Sequence, residues 1–426
     1  MKTGQFALRS AAVAAACSAG LLALASGPGW SAETTGAWLP TWTASPQPIW
    51  DADFFAPVGI PRSLRDQTLR QVARVSLGGQ RVRVHFSNLY GTEPLTIGAA
   101  HVGLAAENGA IAAGTDRPLT FGGKASITLP PGAPALSDPV DFAVPALASV
   151  AVSTYFPTVS PATTWHNDGR QTAYLSASGD QTGAETFTAA QTFPSRIFFD
   201  GIQVDAPANG RTLVLFGDSI TDGDGSTVDA NHRWPDFLAE RLQAKGAAVA
   251  VANQGISGAR ILADRMGVNA LARFDRDVLS QPGVDTVVLM MGINDIGWPG
   301  SLLSPKNEIA PSGDDVIAGY RQLIERAHDH GLKIIGATLT PFEDTFAGTP
   351  LFGYYSEEKE AKRQAINAFI RSGAFDGVID FDAVARDPAN PKHIKAEYDH
   401  GDHLHPNDAG YRAMADSIDL AVLGVK

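Results

Sequence analysis

The chain has 426 residues, 44% of them hydrophobic and 18% charged, with a single cysteine and a formal net charge of -12. That length exceeds what one hydrophobic core ordinarily serves, so two folded domains are expected. An acidic chain without a dense run of Lys and Arg is poorly suited to polyanions, which argues against nucleic acid and anionic membrane surfaces as partners.

The start reads as an export leader. Lys2 and Arg9 precede an apolar, small-residue run from Ser10 to Ala25 that is short of a bilayer span. Ala23-Leu24-Ala25 satisfies the small-x-small cleavage rule and gives a signal peptide over residues 1–25, while a cut after Ala32 would place Trp30 at the minus-three position. Losing Lys2 and Arg9 takes the charge from -12 to about -14. Cys17 leaves with the leader, so the mature protein has neither thiol nor disulfide and relies on packing. A lipid anchor at Cys17 is disfavoured because Ala14-Ala15-Ala16 lacks the preferred leucine. The expected destination is secreted or periplasmic, with no stable membrane insertion once the leader is gone.

Residues 38–205 carry short β-type runs, which predicts an accessory domain built as a β-sandwich or jelly roll. Leu69, Val72, Val75 and Leu77 lead to Gly78-Gly79-Gln80 and then to alternating Val82, Val84 and Phe86, a pattern that predicts a hairpin. Further strands are expected at 150–156, 172–176 and 197–204, with breaks such as Pro130-Pro131-Gly132 between earlier runs. The stretch from Asp205 to Gly210 reads as the boundary.

From residue 211 to 426 the rhythm becomes α/β. Apolar runs at 212–216, 249–253, 286–291, 333–339 and 378–381 predict five strands, and helical periodicity marks 232–245, 313–330, 356–371 and 407–420. Gly246 and Gly331 stand where C-caps would fall. This is the pattern of a doubly wound parallel sheet, whose ligands sit at the carboxyl ends of the strands.

Those ends carry the chemistry. The first strand runs into Gly217-Asp218-Ser219-Ile220-Thr221-Asp222-Gly223, making Ser219 the candidate nucleophile. Gly255 follows the second strand and Asn294, in Gly292-Ile293-Asn294-Asp295, follows the third. The backbone N–H groups of Ser219 and Gly255, with the Asn294 amide, are the candidate oxyanion hole for acyl transfer. Within Asp399-His400-Gly401-Asp402-His403-Leu404-His405-Pro406, His405 is the candidate general base and Asp402 its orienting acid, one tight turn earlier. Asp218, Asp222 and Asp295 read as turn residues that bond loop N–H groups. The clustered histidines could instead be metal ligands, but no second ligand group stands at a defined spacing elsewhere.

On these blocks, residues 211–420 resemble the SGNH hydrolases, the GDSL esterase family. Gly217-Asp218-Ser219 is similar to the family's nucleophile block, Gly255 to its oxyanion glycine, Asn294 to its oxyanion asparagine, and Asp402 with His405 to its acid and base. The Gly-x-Ser-x-Gly signature of α/β-hydrolases is absent, because Thr221 occupies its second glycine position. The resemblance implies a flavodoxin-like sheet and a serine esterase working through an acyl-enzyme, with no metal or organic cofactor. It leaves the ester open. A small-molecule or polysaccharide ester is expected, with an acetyl or other short acyl group on carbohydrate foremost. A lysophospholipase-like or lipase-like esterase, an O-acyltransferase and a non-catalytic carbohydrate-binding protein are the alternatives. Trp165, Trp298, Phe342, Phe346, Phe352, Tyr354 and Tyr355 are candidates for lining a cleft.

Overall fold

The computed structural model describes Met1 and residues 37–425, so the expected leader over residues 1–25, with Cys17, lies outside the described residues. Two large antiparallel sheets dominate the first part, beside two two-stranded sheets and a small three-stranded one that joins Arg196–Ile197, Thr164–His166 and Gln47–Pro48. Of the large sheets, one joins Trp38–Thr43, Phe199–Asp205, Gly79–Ser87 and Pro134–Leu136 in that order, and Val140–Val144 also pairs with Gly79–Ser87. The other runs Ala189–Phe193, Ala173–Ser176, Gln67–Arg74, Ser149–Phe156, Ala99–Leu104 and Arg117–Pro118. Val82, Val84 and Phe86 from the first sheet share one core with Leu69, Val150 and Val152 from the second, which makes the layers a sandwich.

The expected hairpin at Gly78-Gly79 is not formed. Gln67–Arg74 and Gly79–Ser87 belong to different sheets, and the chain between them crosses from one layer to the other. Leu69 and Ala73 of the first strand and Val82, Val84 and Phe86 of the second face the same core, from opposite sides. A two-residue hairpin of the common primed types needs positive φ, which neither glycine adopts. Gly78 instead passes close to the neighbouring backbone: a Cβ there would lie 2.6 Å from the Val144 carbonyl oxygen.

The second part is a five-stranded parallel sheet. Its strands are β1 (Arg211–Gly217), β2 (Val249–Asn253), β3 (Val284–Met290), β4 (Lys333–Ala337) and β5 (Gly377–Ile379), in the order β2-β1-β3-β4-β5. That is the flavodoxin-like order, with its switch point between β1 and β3. The helices are α1 (Ser219–Asp222), α2 (Trp234–Ala244), α3 (Ala270–Phe274), α4 (Ile293–Gly297), α5 (Gly313–Asp329), α6 (Glu357–Ile370), α7 (Phe381–Ala385) and α8 (Asp408–Ser417). Leu213 and Leu215 of β1 pack with Phe237 and Leu242 of α2 and Met414 of α8. Val214 and Phe216 point the other way, into a core with Phe274, Tyr320 and Ile366. The near-continuous apolar runs in the strands follow from this burial on both faces.

The sandwich covers the β2 edge of the parallel sheet. The Ser76 hydroxyl accepts from the Val251 N–H at 2.9 Å and lies 3.3 Å from the Val251 carbonyl, while the Thr43 hydroxyl donates to the Asn253 carbonyl at 2.8 Å. Leu39, Leu77, Ala206 and Ala250 form a small apolar cluster beside these bonds. The described residues from 37 onward form one compact unit. Among the described residues no helix is long and apolar enough to cross a membrane.

Candidate active site

The turn after β1 presents Ser219 at the open edge of the sheet. Asp218 caps the single-turn α1, its carboxylate accepting from the Ile220 N–H at 3.1 Å, and Gly223 ends the turn in the left-handed region at φ 114°. Between the last two helices, Asp402 Oδ1 accepts from the N–H groups of Leu404 and His405 at 3.0 and 2.9 Å, which folds residues 402–405 into a tight loop. Asn407 caps α8 immediately afterwards. The result is a continuous chain: Ser219 Oγ lies 2.8 Å from His405 Nε2, and His405 Nδ1 lies 2.6 Å from Asp402 Oδ2.

Electrostatics follow from burial and neighbours. Burial disfavours the charged imidazolium of His405, but the carboxylates of Asp224 and Asp402 outweigh it and raise its pKa to about 9. Burial would also raise Asp402, yet His405 and the two N–H donors hold it well below the usual carboxylate range. Asp224 Oδ2 stands 3.7 Å from His405 Nε2, a second carboxylate that the sequence reading did not single out. Burial lifts Asp218 to about 7 and Asp295 to about 6. Asp295 accepts from the Ile261 and Leu262 N–H groups at 2.8 and 3.0 Å, a loop-holding role.

Asn294 lies in α4, 3% exposed, with its amide orientation fixed: Oδ1 accepts from Trp298 Nε1 at 2.9 Å and from the Tyr354 hydroxyl at 2.8 Å. Nδ2 therefore faces the other way, donating one hydrogen to the Ala259 carbonyl at 3.0 Å and keeping the second for the site.

Gly255 does not join this group. Its N–H donates to Asn253 Oδ1 at 2.9 Å, and a Cβ at Gly255 would sit 2.3 Å from the Asp222 backbone nitrogen. Glycine is needed there so that the loop after β2 can press against the nucleophile turn, and its N–H is already used. The residue that lines the site is Gly258, three positions on, at φ +76° in a turn closed by a 3.0 Å bond from the Ala259 N–H to the Ile256 carbonyl. Among the described residues the N–H groups of Ser219 and Gly258 have no acceptor.

Ser219, His405, Asn294 and Gly258 open onto a cavity of about 160 Å³. Trp298, Leu303, Phe346, Leu351, Tyr354 and Leu404 give it mostly apolar walls. Of the other aromatic candidates, Trp165 is buried against Trp50, Phe342 stacks edge-on behind Tyr354 and Tyr355, and Phe352 is exposed. A larger cavity of about 510 Å³, between the sandwich and residues 276–282, includes none of Ser219, His405 or Asn294 in its walls. Of the histidines near the loop, His403 Nδ1 pairs with Asp399 Oδ2 at 2.6 Å. Among the described residues no group of three or more His, Cys, Asp or Glu is disposed to hold a metal ion.

Residues 213–418 match the family described as GDSL-like Lipase/Acylhydrolase. This part of the chain is a GDSL-like hydrolase domain. Solved structures align with about half of the chain. The aryl esterase of M. smegmatis is 18% identical at a TM-score of 0.40, over 51% of this chain and 100% of its own. A mutant of an acetyl-xylooligosaccharide esterase from Geobacillus is 22% identical at 0.38, over 51% and 96%. A GDSL-like lipase from Bacteroides thetaiotaomicron is 21% identical at 0.37, over 51% and 89%. No curated protein matches the chain. The GDSL domain does not complete its surroundings alone: residues 166–170 of the N-terminal β region reach into them. His166 contacts Asp222 at 2.9 Å, Asp168 contacts Ser257 at 3.2 Å, and Arg170 stands 3.6 Å from Asp224 and donates to the Ser226 carbonyl.

Proposed function

We propose that this chain hydrolyses carboxylic esters through an acyl-enzyme on Ser219. The observation that carries the reading is the unbroken chain from Ser219 Oγ to His405 to Asp402, at 2.8 and 2.6 Å, opening onto an apolar cavity. His405 Nε2 takes the Ser219 proton as Oγ attacks the ester carbonyl, and Asp402 stabilises the imidazolium that forms. The tetrahedral oxyanion is received by the N–H groups of Ser219 and Gly258 and by Asn294 Nδ2, with Gly258 replacing Gly255 in this role. His405 then protonates the departing alkoxide. Water, deprotonated by the same ring, attacks the acyl-enzyme and restores Ser219.

Acetyl or another short acyl group is the proposed acyl part, supported by the small volume of the cavity, about 160 Å³. A carbohydrate hydroxyl is the proposed alcohol, supported by the export leader read from residues 1–25 and by the absence of basic runs. A lipolytic reading has its own observation: Phe55, Leu302 and Phe352 are exposed apolar side chains next in sequence to Phe54, Leu303 and Leu351 at or behind the cavity wall. Hydrolysis of 4-nitrophenyl acetate, butyrate and octanoate, with acetylated xylan alongside, tests the proposal. Acetate and xylan turnover that is lost in Ser219→Ala supports it. A preference for octanoate moves the substrate to lipids, product transferred to an added sugar acceptor moves the reaction to acyl transfer, and no turnover at all sinks the esterase. Export is proposed on the leader alone and is checked by the mass of the mature N-terminus.

A further inference from the structure

His166 lies in strand Thr164–His166 of the small three-stranded sheet beside the sandwich, and is 4% exposed. Its ring lies between two acceptors. Nδ1 is 2.9 Å from the Ser45 carbonyl, and Nε2 is 2.9 Å from Asp222 Oδ1 on the nucleophile turn. Both nitrogens must donate, which only the imidazolium can do. Burial opposes that charge, and Asp222 outweighs it and raises the pKa. The other oxygen of Asp222 accepts from the Ser257 N–H at 2.9 Å and lies 3.1 Å from the Ser257 hydroxyl, whose one hydrogen it shares with Asp168 at 3.2 Å. The next residue is Gly258, which lines the cavity and whose N–H has no acceptor among the described residues.

We propose that His166 is a positioning residue for ester hydrolysis, acting through Asp222 and Ser257 to fix the turn that offers the Gly258 N–H to the oxyanion. The proposal rests on the esterase reading above. It assigns the N-terminal β region a share in transition-state binding, because the imidazolium hydrogen-bonded to Asp222 comes from outside the GDSL domain, whereas Arg233 inside it acts on that carboxylate only through space. Without it, a buried carboxylate next to the nucleophile turn loses its partner, and the loop it holds is released. An oxyanion donor misplaced in this way costs turnover and spares ground-state binding.

The test uses the mature full-length protein with 4-nitrophenyl acetate as substrate and phenylboronic acid, which becomes an anionic tetrahedral adduct on Ser219, as the transition-state mimic. His166→Phe is expected to lower kcat about tenfold or more and to weaken phenylboronic acid by a similar factor, with KM changed by less than about twofold. His166→Gln, which restores one donor toward Asp222, is expected to recover part of both losses. Should the phenylalanine variant not fold, His166→Gln and Ser257→Ala carry the test, each with a partial loss in kcat and boronate affinity. A folded variant set with wild-type kcat, or with a change confined to KM, overturns the proposal. Absence of Ser219-dependent turnover in the wild-type protein is a different result: it removes the esterase reading itself, and this proposal with it.

Discussion

Replacing Asp224 by Asn should make this enzyme faster at neutral pH. His405 must be neutral to act as a base, and a pKa of about 9 leaves only about 1% of it neutral at pH 7. Asp224 stands 3.7 Å from His405 Nε2, at which two unit charges attract by about 1 kcal/mol in water and about 4 kcal/mol at an effective dielectric of 20. The Asp224 side chain is 41% exposed, so solvent screening places the value near the lower end, about one pKa unit. Asn keeps the side-chain oxygen that accepts from the Gly225 N–H, so the turn is retained. The sign is set by the raised pKa: kcat/KM climbs with pH up to about 9 in the wild type, and the climb should finish about one unit earlier in Asp224→Asn. At pH 7 the neutral fraction rises about tenfold, part of which is offset by the weaker base, for a gain of about five-fold. The assay is the pH profile of kcat/KM for 4-nitrophenyl acetate from pH 5 to 10. An unchanged inflection, or a loss at pH 7, would refute the assignment of His405 as the base held charged by Asp224.

Four further outcomes bear on the site. Ser219→Ala and His405→Ala should each remove nearly all turnover while thermal melting stays close to the wild type, and retained turnover in either cancels that residue's role. Asn294→Ala should cost about 10² to 10³ in kcat, read from steady-state kinetics, if Nδ2 is an oxyanion donor. Tyr354→Phe, which removes one of the two bonds that orient the Asn294 amide, should cost about tenfold or less in kcat, near 1 kcal/mol; equality with Asn294→Ala would mean that Tyr354 does more than orient. Gly255→Ala should lower stability by about 1 to 3 kcal/mol in a denaturant titration, because its Cβ meets the Asp222 backbone rather than a flexible side chain.

The parallel sheet was legible because its inner strands are buried on both faces and therefore read as apolar runs ending in a small-residue turn. Asp402 and His405 were legible as a pair because their partnership is local, closed by backbone bonds across three residues. Whatever depended on distant segments was not. Gly255 and Gly258 share one short loop, and only the approach of the Asp222 backbone tells which of them is packed and which faces the cavity. The apolar positions on either side of Gly78 read as those of a hairpin, since such a pattern reports which face is buried and not which neighbour is paired. Trp298 and Tyr354 stood among seven aromatic candidates with nothing local to show that both bond Asn294. His166 meets Asp222 across 56 residues of sequence, a contact that no short motif contains.

The hydroxyls of Ser76 and Thr43 on β2 have a practical side for anyone wishing to cut this chain into pieces. They occupy backbone groups of a border strand that would otherwise be ready to recruit a strand from another molecule. A fragment beginning at residue 211 would carry that strand uncapped, beside the apolar surface that Leu39 and Leu77 now cover. Such a fragment should self-associate, visibly by light scattering, whatever its catalytic competence. The limits of the GDSL match leave out the residues that cap this strand, and a soluble product needs the shield that precedes it.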